Sequence, residues 1–174
     1  LFFHANALPV DGPVAQALEA ECVAQGRRIG LVYREERALL EKGLSPADYL
    51  ETHVRGKKRK EYRRQHNRLS EEGALAFERS DGRVALDAWI EEFFAFDRAG
   101  WKGQNGSALD CADDTRALFR GALQGAAVAG KLELLTLRLD GRAIAMLVNF
   151  ITPPGSFSFK TAFDEDYARF SPGV

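Results

Sequence analysis

The sequence predicts an α+β or mixed α/β fold built in layers. Three observations lead there. Apolar residues recur at helical spacing as far as residue 126 and then switch to strand-like alternation. Asp140-Gly141 is a two-residue hairpin signal, and Pro153-Pro154-Gly155 reverses the chain again, so the last third reads as a three-stranded antiparallel meander. The length of 174 residues suits about one ordinary domain with its own core.

Each element has its own signal. Leu1 to Ala5 reads as a short strand. Pro13 stands where a helix favours its first residue, Val14, Ala17, Leu18 and Cys22 share a face, and Gly26 ends that helix. Arg28 to Arg34 alternates through Ile29, Leu31 and Tyr33 and reads as a strand. Ser45-Pro46-Ala47-Asp48 resembles a capping box and opens a short helix to about Val54. A basic helix runs from about Lys57 to Glu72 with Tyr62, His66 and Leu69 on one face, and Gly73 stops it. Ala74 to Ser80 alternates and reads as a strand.

Leu86, Trp89, Ile90, Phe93 and Phe94 give a wide apolar face to a helix over about Val84 to Ala99, closed by Gly100. Trp101 to Ala108 reads as a loop. Asp113 or Asp114 caps the next helix, with Leu118, Phe119, Ala122, Leu123 and Ala126 inward and Gly130 at its end. Leu132 to Leu139 is a strand. Arg142 to Thr152 is apolar on both faces, as a central strand would be. Ser156 to Phe163 places Phe157, Phe159, Thr161 and Phe163 on one side and Lys160 on the other.

Composition narrows the classes. Hydrophobic residues make up 45% and charged residues 28%, which excludes a disordered or collagen-like chain. The longest apolar run, Ala143 to Ile151, is broken by Asn149, far short of a membrane span. Cys22 and Cys111 lack any paired spacing, so neither a disulfide framework nor a zinc site is indicated, and a reducing, cytoplasmic compartment is expected. The net charge of −1 conceals an asymmetry. Arg55 to Arg68 carries eight basic residues and one acid, a net +7, which leaves −8 for the rest. A positive stripe on an acidic body suits an anionic partner, the phosphates of a cofactor, RNA or DNA or an acidic protein, or is simply a solvated helix face. The chain begins at Leu1 and stops at Val174, directly after Ser-Pro-Gly, and reads as a fragment of a longer protein.

No Walker A loop, HExxH or GxSxG motif is present, and His4, His53 and His66 are far apart. His66 reads as a half-buried residue on the inner side of its helix. Gly100, Gly103 and Gly106 follow no strand and form no dinucleotide fingerprint. The end of the chain is the most suggestive stretch. Ser171 and Pro172 read either as the cap and first residue of a helix whose free N–H groups would receive an anion, or as a plain turn.

Three pieces occur in order: Arg59-Lys60-Glu61-Tyr62-Arg63-Arg64 through Arg68-Leu69 to Glu71-Glu72-Gly73; Gly100-Trp101-Lys102-Gly103 with Gly106-Ser107-Ala108-Leu109; and Phe157-Ser158-Phe159-Lys160-Thr161-Ala162-Phe163-Asp164, ending in Tyr167-Ala168-Arg169-Phe170-Ser171-Pro172-Gly173. Together they resemble the CelD-like, cellulose-biosynthesis-type acetyltransferases of the GNAT superfamily, relatives of the FemAB-type aminoacyl transferases. The resemblance covers about Ala47 to Val174. It implies a GNAT-like, mainly antiparallel twisted sheet flanked by helices, incomplete at its C-terminal end. Residues 1–46 would be a helix/strand segment of the same or a preceding GNAT-like unit. Residues 47–174 would be an acyltransferase domain cut after the Ser-Pro-Gly turn, holding at most half the cofactor cleft and inactive alone.

The activity implied is N-acyl transfer from acyl-CoA, such as acetyl-CoA, to an amine on a small molecule or on a polysaccharide or peptide precursor, without a metal. Arg169, Ser171, Pro172 and Gly173 would bind the cofactor, although they depart from the usual Gln/Arg-x-x-Gly-x-Gly/Ala turn. Asp97 or Asp164 would be the base and Tyr167 the acid. Trp101, Lys102 and Lys160 would bind substrate, and N–H donors at a bulge in a central strand would meet the oxyanion. The plainer readings are an exposed helix position for Asp97, turn and packing residues for Asp164 and Tyr167, and a core anchor for Trp101. A FemAB-like enzyme drawing on aminoacyl-tRNA, and a degenerate non-enzymatic binding module, are the alternatives.

Overall fold

The computed structural model describes residues 3–5, 8–36, 43–153 and 155–173, with the backbone alone at 101 and 102. The chain divides into two compact units, Leu1–Glu41 and Lys42–Val174.

The first unit contains α1 (Pro13–Ala24). Pro13 stands at its first position, and Gln25 and Gly26 close it, the latter at φ +62°. No residue of α1 is buried. Two expected strands are absent among the described residues. Phe3–Ala5 is not strand, and Leu1 and Phe2 lie outside the described residues. Arg28–Arg34 is irregular, with Ile29, Leu31 and Tyr33 exposed. Alternation makes a strand only where a neighbouring edge takes up its N–H and C=O groups, and no described segment pairs with this one.

The second unit holds everything else. Ser45 opens α2 (Pro46–His53), its hydroxyl accepting the Asp48 N–H at 3.1 Å. The basic α3 (Gly56–Glu71) follows, then β1 (Leu75–Ser80), α4 (Leu86–Ala99), the short α5 (Trp101–Gln104) and α6 (Asp113–Val128). The meander β2 (Leu132–Leu139), β3 (Arg142–Thr152) and β4 (Gly155–Phe163) comes next, and a 3-10 helix (Glu165–Phe170) ends the series. The four strands form one antiparallel sheet in the order β1-β2-β3-β4. The fold is therefore α+β, as the sequence predicts.

The hairpin between β2 and β3 turns at Asp140 and Gly141, both with positive φ. Asp140 also fastens β1: its N–H donates to the Ala74 carbonyl at 2.9 Å and its carboxylate accepts the Ala74 N–H at 2.8 Å. That carboxylate sits against Gly73, where a Cβ would collide with it. Gly73 thus permits a close approach as well as ending α3.

One face of the sheet packs on α4 and α6. Ile90, Phe93, Phe94, Phe119 and Leu123 bury against Leu132, Leu134, Met146, Val148 and Ala162. Each phenyl ring removed from water there contributes about 1.5–3 kcal/mol. The Trp89 indole N–H donates to buried Thr136 at 2.9 Å. The opposite face is covered at its hairpin end by Leu69 of α3 and Phe170 of the 3-10 helix, packed on Leu139 and Ile144. At its other end a polar row crosses all four strands: Arg79 to Glu133 at 2.7 Å, Glu133 to Asn149 at 2.7 Å, Asn149 to Ser158 at 2.9 Å. Arg138 joins β1, β2 and α4 through Glu78 at 2.7 Å and Glu92 at 2.7 Å, and those hydrogen bonds, Glu92 first, raise its guanidinium pKa further.

Three expectations about faces change. Leu118 points outward, 69% exposed, while Phe119 beside it is buried, because α6 presents a narrower stripe than its apolar count suggests. His66 is exposed rather than half-buried. The strict alternation of β4 fails, because Phe159 has no register partner between Val148↔Lys160 and Asn149↔Ser158. This bulge turns Phe159 to the α6 side, where Ala162 also lies, although the two are three residues apart. Ile144 of β3 is the other unpaired residue, between Leu137↔Ala145 and Arg138↔Ala143.

Phe119→Ala should lower unfolding free energy by about 3–5 kcal/mol in urea titration. The neighbouring Leu118→Ala should stay within about 0.5 kcal/mol. Equal losses would contradict the packing described for α6.

Candidate functional site

The 3-10 helix after β4 is held at both ends. Asp164 caps it, one carboxylate oxygen accepting the Asp166 N–H at 3.1 Å and the other the Arg142 guanidinium at 2.6 Å. The Asp164 N–H donates to the Ile144 carbonyl at 2.9 Å. Tyr167 and Phe170 turn inward against Leu69 and Ile144. Ser171 closes the helix in a left-handed conformation, φ +51°, with its N–H on the Ala168 carbonyl. Ser171 is therefore the C-cap of the helix before it and Pro172-Gly173 a turn, the second of the two readings that the sequence offered.

This closure delivers the end of the chain to the basic helix. The Gln65 side chain donates to the Ser171 hydroxyl at 3.2 Å. Arg169 lies over the Phe170 ring, 4.6 Å from its centroid, and pairs with Glu72 at 2.8 Å. A shallow cleft of about 370 Å³ results, lined by Arg64, Gln65, Arg68, Glu71, Glu72, Arg169 and Phe170. The sequence presented the stripe and the terminal turn as separate features, and the structure joins them. Arg64 is shared with Glu61, whose carboxyl the Arg64 hydrogen bond holds below its usual value. Arg68 makes no ion pair with a described residue.

Pro172 and Gly173 form a turn that packs back on β4 near Thr161 and Phe163. The Gly173 N–H donates to no described residue. A few residues earlier in the same strand, the bulge leaves Phe159 without a register partner on β3. Phe159 is stacked on Phe119, and the Lys160 ammonium lies 6.0 Å from its ring centroid. Lys160 is half-buried. β4 is the edge of the described sheet, so its outer side presents main-chain groups that the sheet does not use.

The remaining candidates lie around the end of α4. Asp97 is 3% exposed, not on the outer side of its helix, and accepts the Leu109 N–H at 2.9 Å. It ties the segment after α5 to α4. Gly103 packs directly on the Arg98 carbonyl, where no Cβ fits, which lets residues 101–104 wind as a helix where a loop was expected. The side chains of Trp101 and Lys102 lie outside the described residues. Gly100 meets the Glu165 carboxylate, so the end of α4 abuts the start of the 3-10 helix. Asp164, Tyr167, Arg169 and Ser171 are neighbours by sequence, and what sequence reading missed is Gln65 and the meeting of this turn with Arg64 and Arg68 of the basic stripe. Nothing local announces that pairing, since residues 65 and 171 meet only through the packing of Leu69 on Phe170.

Two comparisons bear on the chain. A family model described as an acetyltransferase (GNAT) domain matches residues 56–174. Among curated proteins no match is found.

Asp164→Ala removes both a cap acceptor and an ion-pair partner. Unfolding titrations should show a loss of about 1–2 kcal/mol, and Asp164→Asn, which keeps the cap, a smaller one. Equal losses from both variants would mean that the cap contributes little.

Proposed function

The chain belongs to the acetyltransferase (GNAT) family, and from that premise we propose that it is an N-acyltransferase domain using acyl-CoA, with an amine as acceptor. The observation that carries the reading is the meeting of the Arg169–Gly173 turn with Arg64 and Arg68 across one cleft. Three guanidinium groups and an uncommitted Gly173 N–H suit the phosphate groups of such a cofactor. Guanidinium forks match phosphate oxygens two at a time, which gives orientation as well as attraction. Glu72 already holds Arg169, so an incoming phosphate competes with a carboxylate for that side chain.

When bound, the cofactor supplies an activated thioester carbonyl. Gly173 lies beside Thr161 and Phe163, so a ligand anchored at the turn has the edge of β4 to run along, toward Phe159. Free N–H groups on that edge are the donors available to a carbonyl oxygen as it gains negative charge. In this reading Tyr167 supplies the proton to the leaving sulfur, and Asp97 or Asp164 receives the proton of the amine. Lys160, together with Trp101 and Lys102, orients the acceptor. The half-buried position of Lys160 beside the Phe159 ring supports that role.

Isothermal titration of the protein with CoA and acetyl-CoA tests the proposal. Arg68→Ala and Arg169→Ala should each weaken binding about 10-fold, which is about 1.4 kcal/mol. Glu72→Gln, which releases Arg169, should tighten binding about 3-fold, or about 0.7 kcal/mol. Pantetheine, which lacks the phosphates, should give no measurable heat. Absence of binding to both CoA and acetyl-CoA at millimolar concentration, or affinity indifferent to all three substitutions, overturns the assignment.

A further inference from the structure

The cations of α3 form a second surface, which overlaps the cleft at Arg64 and Arg68 and extends beyond it. Arg59 is the one with a structural task. Its guanidinium holds the carbonyls of Leu50, Glu51 and Val54 at 3.2, 2.9 and 2.6 Å and so closes the C-terminal end of α2. Arg55, Lys57, Lys58, Lys60 and Arg63 are all exposed, and none pairs with a described carboxylate. Lys58 lies 5.0 Å over the Tyr62 ring.

Their placement opposes helix stability. The first turn of α3 has no acid and carries Lys57 and Lys58, where the helix dipole is already positive. Local preference is overridden here without any gain in packing, which is a pattern expected of a working surface. At about 100° per residue, Arg63, Lys60, Arg64, Lys57 and Arg68 spread over an arc of about 140°. Gly56, Asn67 and Glu71 are the other residues on that arc, so it carries no apolar or aromatic side chain. From Lys57 to Arg68 it rises about 16 Å, long enough to pass several consecutive phosphates of a strand.

We propose that this arc binds the phosphate backbone of a nucleic acid without reading its sequence. A membrane would meet one flat side of the helix and would need apolar anchors beside the cations. A protein partner would need a desolvated aromatic or aliphatic centre. The arc offers neither, and charge paired with phosphodiester oxygen is the chemistry it does offer. Outside residues 55–68 the chain sums to −8, so the net charge of the rest favours approach of a polyanion at α3. The surface shares Arg64 and Arg68 with the cleft assigned above, while Lys57, Lys60 and Arg63 belong to it alone.

Fluorescence anisotropy tests this with labelled single-stranded RNA, single-stranded DNA and duplex DNA of about 20 nucleotides, between about 50 and about 300 mM salt. With four or so phosphates contacted, the logarithm of affinity should fall against the logarithm of salt with a slope of roughly −3. The triple variant Lys57→Glu, Lys60→Glu, Arg63→Glu should weaken binding at least about 30-fold and flatten the slope by about 2. The milder Lys60→Gln, Arg63→Gln pair should give a smaller loss in the same direction, with thermal melting confirming an intact fold. Charge reversal at Arg83 and Lys131, away from α3, should change nothing. Preference among the three strands names the natural source.

A salt-independent affinity, an unchanged triple variant, or tighter binding to phosphatidylserine vesicles or polyglutamate than to any strand overturns the proposal. Titration of the triple variant with CoA separates the two assignments, because none of its three positions lines the cleft.

Discussion

Leu69 and Phe170 come from opposite ends of the second unit and bury together on Leu139 and Ile144. The rest of the site depends on this contact. It covers the hairpin end of a sheet face that would otherwise lie in water, and it brings α3 beside the 3-10 helix. Once Leu69 faces inward, helical geometry leaves the basic arc pointing out and sets Gln65 within reach of Ser171. A hydrophobic pair thereby decides where the charges of two distant segments meet.

The charged groups of this unit divide into two kinds. Most are spent on architecture. Glu78 and Glu92 hold Arg138, and Glu133 holds Arg79. Several of these pairs bridge strands or join sheet to helix, and they help fix which face each element presents. The α3 cations are the exception, exposed and without carboxylate partners apart from Arg59 and Arg64. The contrast between committed and uncommitted charge is what separates a surface available to an outside anion from one already neutralised.

Much of this was legible in the sequence where a signal was local. The spans of β2 and β3, the Asp140-Gly141 turn, the Ser45 cap and the ends at Gly26 and Gly130 all follow from neighbouring residues. What failed needed information from elsewhere. Arg28–Arg34 alternates well but finds no edge to pair with. The aromatic side of β4 is split because one inserted residue, Phe159, resets the alternation midway. Leu118 satisfies the helical period yet lies beyond the width of sheet beneath α6. The candidate residues at the chain end were found from the turn pattern, whereas their partners on α3 required the tertiary contact of Leu69. The bulge expected in a central strand had no residue attached to it, and the one at Phe159 lies in β4, at the edge, since no side-chain pattern marks where a ladder skips.

The strand order carries a consequence for how the molecule assembles. β2, β3 and β4 are joined by tight turns and can pair from nearby contacts, on the microsecond scale of hairpins. β1 reaches β2 only after residues 81–131 have closed into a loop, and the entropy of that closure must be met before its pairing is rewarded. Arg79 at the start of the polar row, with Asp140 gripping Ala74 at the far end, acts as a late clasp on a strand that arrives last. Of the two edges of this sheet, β1 is thus the one whose pairing carries the larger loop-closure cost.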